Sequence, residues 1–204
     1  MQAAADEEAL VRRASQGDLD AFNALVLRYQ GLAYNVAFRL LGSAEPAADV
    51  TQDAFVMAFQ SLGSFRGGSF RAWLLRIVSN GCYDLLRAQR RRPTTSLDAL
   101  LDDPDSPAAF PDSGETPEQA ALRHELGREI QAALLTLPLE QRVVVVLSDV
   151  QGLSYEEIAE ATHTSLGTVK SRLSRARAHL RLYLRDRREL PRSRERLEER
   201  GTEI

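Results

Sequence analysis

The sequence has one cysteine and no long apolar run. Cys82 has no second thiol with which to form an internal disulfide, and a single thiol does not make a zinc finger. No stretch approaches the roughly 20 apolar residues that a bilayer-spanning helix needs. The first residues, MQAAADEEALVRR, are acidic where a signal peptide is positively charged and then apolar. These absences predict a cytoplasmic protein with no direct insertion into a membrane.

Enzyme motifs are missing as well. The chain has no phosphate-binding loop, no HExxH and no G-x-S-x-G sequence, and its carboxylates are not paired with His or Cys at helical spacing. His163 is a lone histidine and is interpreted as a turn residue rather than a catalytic base. We therefore predict no catalytic residue, no metal site, no cofactor and no small-molecule substrate.

Strand patterns are also absent, and Ala, Leu, Arg and Glu dominate, so we predict an all-α protein. One long segment is rich in Pro and Asp and has little apolar periodicity, which is typical of a linker. The chain is accordingly divided into a helical domain over 1–92, a flexible acidic linker over 93–116, a second small helical domain over 117–188 and a charged tail over 189–204.

Capping signals divide each domain into helices. The predicted helices of the first domain cover 6–15, 18–41, 46–62 and 69–91. Those of the second domain begin at Thr116, Pro138, Ser154 and Leu166, and the last one ends near Arg188.

The net charge of −3 conceals segments of opposite sign. Residues 164–192 include nine basic and two acidic side chains, whereas 93–124 include one basic and seven acidic ones. Segment charge bears on the choice of partner more directly than net charge does. A charged run by itself is usually a solvated helix face, so the basic segment needs a structural context.

That context is a helix-turn-helix pattern. A short helix over 154–162 is followed by a three-residue turn and a longer basic helix, which is the arrangement of many DNA-binding proteins. Apolar side chains from Val169 to Leu180 form one inward stripe, which leaves small and basic side chains outward. Such a face suits a major groove, where Ser and Arg contact base edges and phosphates. The candidate duplex contacts are Ser165, Thr168, Lys170, Ser171, Arg172, Ser174, Arg175 and Arg177.

A different surface is predicted in the first domain. The SFRGGSF segment places aromatic, Gly and Arg residues beside a basic helix, as a site for unstacked bases requires. A second interpretation stays open, in which the aromatic side chains close the small core, and both can hold for different aromatics. The candidate contacts are Phe65, Arg66, Phe70, Arg76, Asn80, Tyr83 and Arg87.

The helix predicted over 46–62 carries a mixed face of acidic, amide and apolar side chains. This face is either solvated surface or a docking strip for a basic helical partner. Its members are Asp49, Gln52, Asp53, Val56 and Gln60.

Two segments together resemble one protein family. The segment AEPAADVTQDAFVMAFQSLGSFRGGSFRAWLLRIVSNGCYDLLRAQRRRP resembles region 2 of bacterial sigma factors of the extracytoplasmic-function (ECF, group 4) class. The segment LPLEQRVVVVLSDVQGLSYEEIAEATHTSLGTVKSRLSRARAHLR resembles their region 4. With the helices before each, the pair covers nearly the whole chain in the family's order.

The resemblance implies a sigma factor that binds core RNA polymerase and directs promoter-specific transcription initiation. It implies that the mixed strip contacts the β′ clamp helices and that the β flap is a further contact. The 65–70 loop and the helix over 69–91 would capture and melt the −10 element, and the final helix would read the −35 duplex. An anti-sigma factor is an expected partner. An autonomous regulator, whose first domain senses a ligand or dimerises, is the alternative, but the first domain offers Arg, Asn and aromatic residues rather than a ligand-sized apolar pocket.

Overall fold

The chain folds into α-helices joined by short turns. The structure, a computed structural model, describes residues 2–91 and 116–200, with side chains for 6–91 and 116–187. Within these ranges no β-strand occurs, which confirms the predicted all-α class. The helices are α1 Gln2–Ser15, α2 Leu19–Leu41, α3 Ala44–Ser61, α4 Phe70–Arg91, α5 Pro117–Leu135, α6 Leu139–Val145, α7 Tyr155–Thr162 and α8 Leu166–Arg200.

The predicted capping signals set most helix ends. Asp18 accepts a hydrogen bond from the amide of Ala21 at 3.0 Å at the start of α2, and Gly42 ends that helix with a φ of 80°. Capping boxes are formed at Thr116 before α5 and at Ser154 before α7, as predicted. The final helix differs from the prediction because α8 continues to Arg200.

The capping box of α7 provides a test of local stability. The Ser154 hydroxyl accepts from the Glu157 amide at 3.1 Å, and the Glu157 carboxylate accepts from the Ser154 amide at 2.8 Å. We expect Ser154→Ala to lower the free energy of unfolding by about 1 kcal/mol, because an amide at the helix start loses its acceptor. Urea denaturation followed by circular dichroism measures the change. Ser61→Ala removes a hydroxyl that bonds only to the Met57 carbonyl; an equal loss in that control would contradict the capping role.

The first domain is built around α2. Helices α1, α3 and α4 all pack against it, and their apolar side chains form its core. Periodicity predicted that α4 turns Trp73, Leu74, Ile77, Gly81 and Leu85 inward. Of these, Leu74 is fully buried, whereas Trp73, Ile77, Gly81 and Leu85 are half-buried. The other buried side chains of α4 are Phe70, Leu75, Val78, Ser79 and Cys82. The buried face is rotated because α4 contacts α2, α3 and α7, so more than one side of the helix is covered.

The second domain packs α6 and α7 against α8. The apolar run from Val143 to Leu147 is buried and passes from α6 into a π-helix, Val146–Val150. The inward stripe of α8 is confirmed, because Val169, Leu173 and Ala176 are each at most 1% exposed.

The two domains also contact each other, which the sequence did not predict. Helix α7 packs against α4, and α5 and α6 pack against α2, so the buried residues of both domains form one continuous core. Gly42 permits one close approach: a Cβ atom there would lie 2.7 Å from Cδ1 of Leu135. Apart from Thr116, the predicted acidic linker lies outside the described residues, as do residues 201–204 of the predicted tail.

Candidate nucleic-acid interface

The outer face of α8 is open to solvent. Burial of Val169, Leu173 and Ala176 fixes the rotation of the helix, so its opposite side points away from the domain. We define the α8 face as the exposed side chains Lys170, Ser171, Ser174 and Arg175. Arg172, on its flank, is half-buried because it lies near the first domain.

The turn before α8 holds the helix-turn-helix geometry. His163 adopts a left-handed conformation with a φ of 51° at the end of α7, and the Thr164 amide donates to the Ala159 carbonyl at 3.0 Å. Ser165 caps α8, because its hydroxyl accepts from the Thr168 amide at 3.2 Å and lies 2.9 Å from the Thr168 hydroxyl. His163 is therefore a turn residue, and both candidate hydroxyls of this turn are engaged in capping.

Arg177 is held by an acidic side chain that sequence reasoning missed. Its Nε donates to Oδ2 of Asp149 at 2.9 Å and its Nη2 donates to Oδ1 at 2.6 Å. Asp149 lies in the π-helix, and the sequence carries no signal for that extra residue per turn. Arg177 also lines a groove of about 300 Å³. The groove is lined by Tyr155, Lys170, Leu173, Ser174, Arg177, Ala178 and Arg181.

The Asp149–Arg177 pair predicts a pH-dependent contribution to stability. The hydrogen bonds from Arg177 hold the pKa of Asp149 below its ordinary value of 3.8. A carboxylate of this kind stabilises the fold above its unfolded pKa and loses that contribution as pH falls through the folded value. We expect the wild type to be more stable than Asp149→Asn near neutral pH and the difference to shrink below about pH 4. Because both side chains are exposed, the difference is small. Urea titrations from neutral to about pH 3 measure it; a difference that is constant with pH would contradict the assignment.

The outer side of α4 is the second candidate surface. We define the α4 face as Arg76, Asn80, Tyr83 and Arg87. Asn80 and Arg87 are exposed, and Arg76 and Tyr83 are half-buried. Helical spacing also places Ser79 near this side, but Ser79 is only 1% exposed, since the buried face of α4 is rotated toward it.

The loop before α4 divides its aromatic side chains between two roles. Phe65 is half-buried and Arg66 is exposed, beside Gly67 and Gly68, each with a φ of 91°. Phe70 is only 1% exposed and packs against Tyr29, Phe65 and Trp73, with ring centroids 5.5 to 6.1 Å apart. Phe70 therefore has no exposed ring face for the expected contact with a base, because the first turn of α4 directs this side chain into the core.

The mixed strip of α3 is exposed along its whole length. We call this surface the α3 strip, and every one of its five members is exposed: Asp49, Gln52, Asp53, Val56 and Gln60. Sequence reasoning missed its apolar neighbours, Met57 at 54% and Phe59 at 41% exposure. Helical periodicity predicts Phe59 in the core, but its ring stays partly exposed and packs at an angle of 61° against that of Phe22, with the ring centroids 5.0 Å apart.

Comparison with known proteins identifies the family of this chain. The family model of Sigma-70 region 2 matches residues 25–92, and that of Sigma-70 region 4 matches residues 127–180. The ECF RNA polymerase sigma-E factor of Escherichia coli is 40% identical over 174 residues, which are 84% of this chain and 90% of that protein. The chain belongs to the ECF sigma factors. It is thus a transcription initiation factor and not an enzyme.

Two further proteins are similar to this sigma factor. The ECF RNA polymerase sigma factor SigE of Mycolicibacterium smegmatis is 41% identical over 169 residues, which are 83% of this chain and 63% of that protein. The solved sigma factor RpoE of Bartonella quintana, in complex with the anti-sigma factor NepR, has a TM-score of 0.62 and 28% identity. That match covers 80% of this chain and 96% of the solved one.

In the described part of the chain, no helix is both long enough and apolar enough to cross a membrane. The same part holds no group of three or more His, Cys, Asp or Glu side chains placed to bind a metal ion.

Proposed function

We propose that the second domain of this sigma factor, residues 117–188, reads the duplex of a −35 element with the α8 face. The observation that carries the proposal is the orientation of α8, whose buried stripe turns Lys170, Ser171, Ser174 and Arg175 outward together. Small side chains between the cations allow close approach to a major groove, and Arg175 can contact a guanine with two hydrogen bonds. Arg172 and Arg177 flank the face and would contact phosphates.

Three of the candidate DNA contacts already make hydrogen bonds within the second domain: Ser165, Thr168 and Arg177. The two hydroxyls stabilise the first turn of α8, which leaves the helix N-terminus as the group that faces a phosphate there. Arg177 would reach DNA only while sharing its guanidinium with Asp149. These residues position the α8 face more than they read bases.

In the same proposal the first domain, residues 1–92, captures the non-template strand of the −10 element. Exposed Asn80, Arg66 and Arg87 supply hydrogen bonds and positive charge, and Phe65 offers part of an aromatic ring. Capturing a flipped base costs a few kcal/mol of lost stacking, which the pocket recovers through stacking and hydrogen bonds. Phe70 supports this surface from beneath by fixing Phe65 and Trp73.

The α3 strip is proposed to bind the β′ clamp helices of core RNA polymerase. It combines two carboxylates, two amides and an exposed valine, a mixture suited to a basic helical partner with some apolar surface. Contact with the β flap is proposed for the second domain. The solved Bartonella quintana relative is in complex with an anti-sigma factor, and we propose the same class of partner here, together with a cytoplasmic location.

The test is selection from a random duplex DNA library by core polymerase alone, by this chain alone and by both together. We expect only the mixture to enrich fragments, and these fragments to share two elements at a fixed spacing. Tight enrichment of a single operator by the chain alone would instead identify an autonomous regulator and would overturn the proposal.

A further inference from the structure

The groove between the start of α7 and the outer side of α8 has the chemistry of an anion site. Its lining includes three cationic side chains, Lys170, Arg177 and Arg181, and two hydroxyls, those of Tyr155 and Ser174. None of the described residues that line it carries a carboxylate. A backbone phosphate of DNA fits this set, because arginine donates paired hydrogen bonds to its oxygens and hydroxyls donate single ones. Lys170 and Ser174 also belong to the α8 face, so the groove directly adjoins the surface proposed to read bases.

Asp149 fixes the direction of Arg177 beside this groove. Its carboxylate accepts from Nε and from Nη2 of Arg177, at 2.9 and 2.6 Å, so one whole edge of the guanidinium is bound. A guanidinium carries five N–H groups in a rigid plane, and this pairing uses two of them. The three that remain include the parallel pair on the Nη1–Nη2 edge, which matches two oxygens of a phosphate. Arg177 is thus held by one anion in a geometry that can receive a second.

The position of Asp149 depends on the π-helix over Val146–Val150. The amide of Gln151 donates to the carbonyl of Val146 at 3.0 Å, which is the five-residue hydrogen bond of this helix type. Leu147 is fully buried, while Asp149 is exposed two residues later and contacts α8 through Arg177. π-Helical turns are rare and occur frequently at functional sites. This irregular turn therefore places a carboxylate against an arginine of the helix that carries the α8 face.

The Asp149–Arg177 pair favours one phosphate position over its neighbours. A mobile arginine on a basic helix attracts phosphates at many registers of the DNA, because Coulomb attraction depends on distance and not on direction. A guanidinium that is held along one edge binds a phosphate well only where its free edge points, and the Asp149 carboxylate repels phosphates on its own side. Because Arg175 and Arg177 lie on the same helix, a phosphate fixed at Arg177 determines which base lies under Arg175.

We propose that Asp149 is a positioning residue for −35 recognition, which fixes Arg177 so that the groove accepts one DNA backbone phosphate in a single register. The inference rests on the proposed reading of a −35 duplex by the α8 face and adds a residue that acts through Arg177 rather than on a base. It explains why a carboxylate lies beside a cationic groove, where negative charge lowers the total attraction to DNA. Asp149 thus lowers non-specific affinity and raises selectivity.

The first test measures selectivity with core polymerase bound to the full chain. Each complex is titrated with a labelled promoter duplex, taken from the fragments enriched in the selection above, and with the same duplex carrying a scrambled −35 element. We expect Asp149→Asn to lower the ratio of the two Kd values about tenfold, since Arg177 loses the orientation that its charge-assisted hydrogen bonds to a phosphate require. The Kd for the scrambled duplex should stay equal or fall, because a negative charge is removed. Glu125→Gln is the matched control, since it removes the same charge from an exposed site on α5 outside the groove and the α8 face.

The second test locates the phosphate by replacing single phosphates around the −35 element with uncharged methylphosphonates. We expect one replacement to weaken binding of the wild-type complex about tenfold, and the complex with Arg177→Ala to lose this sensitivity. With Asp149→Asn the loss should spread over several neighbouring phosphates, because the guanidinium is then free to reach each of them. If Asp149 only stabilised the fold, the same single phosphate would stay dominant in Asp149→Asn, and the positioning role would be wrong.

The outcomes separate the positioning role from the proposed function. Lower selectivity in Asp149→Asn, with native circular dichroism and an unchanged ratio in Glu125→Gln, would support the positioning role. An unchanged ratio in Asp149→Asn, beside a selective wild type, would overturn that role and leave the proposed function intact. Equal losses of affinity for both duplexes would also overturn it, since they indicate a general effect on folding or charge. A wild-type complex that binds both duplexes equally would refute the reading of a −35 element and the positioning role with it.

Discussion

Arg175→Ala is expected to reduce transcription from a promoter with a matching −35 element by roughly ten- to hundredfold. Arg175 lies in the middle of the α8 face and is exposed, and no side chain among the described residues pairs with it. A bidentate arginine contact to a base contributes about 1–3 kcal/mol of discrimination. Loss of the Arg175 contact therefore weakens promoter recognition and leaves the polymerase contacts of the first domain intact.

The experiment compares single-round transcription and core affinity for Arg175→Ala and for Arg128→Ala. Arg128 is an exposed arginine of the same domain that lies on α5 and is not part of the α8 face. We expect the control to transcribe like the wild type and both variants to bind core normally. A drop in the core affinity of Arg175→Ala would contradict the assignment of the α8 face to DNA.

Asp53→Arg is expected to weaken binding to core RNA polymerase by about a hundredfold or more. Asp53 is exposed near the middle of the α3 strip, and the proposed partner is a basic helix. Placing like charges opposite each other at an interface costs several kcal/mol. Because initiation requires the complex, transcription should fall in proportion from every promoter that this sigma factor uses.

Asp6→Arg is the matched control, since Asp6 is an exposed aspartate of the same domain on α1. Fluorescence anisotropy of the labelled chain, titrated with core enzyme, measures both variants. Equal losses of affinity would mean that overall charge and not the α3 strip governs binding. A thermal melt close to that of the wild type confirms that the substituted domain stays folded.

Local rules predicted most of the secondary structure and much of the candidate surface. Asp18, Thr116 and Ser154 cap helices as expected, because their short polar side chains bond to amides only a few residues away. The stripe from Val169 fixes the outward direction of α8, since one face of that helix packs inward and the other is solvated.

Features that depend on several neighbours could not be predicted. Phe70 and Ser79 are buried because α4 is covered on more than one side, while periodicity reports a single apolar face. Asp149 meets Arg177 only because a π-helix adds a residue to its turn. The hydrogen bonds of Gln131 to α2 could not be predicted either, because Gln131 bonds mainly to backbone carbonyls, which every residue type offers.

Transcription of genomic DNA by core polymerase, with and without this chain, tests whether the chain directs initiation at its own set of promoters. The DNA comes from the organism that encodes the chain, and sequencing of transcript 5′ ends locates each start site. We expect new starts that appear only when the chain is added and that share one sequence near −35 and one near −10. We also expect Arg175→Ala to weaken transcription from these starts by roughly ten- to hundredfold. An unchanged set of starts in the presence of the folded wild-type chain would contradict a role in promoter-specific initiation.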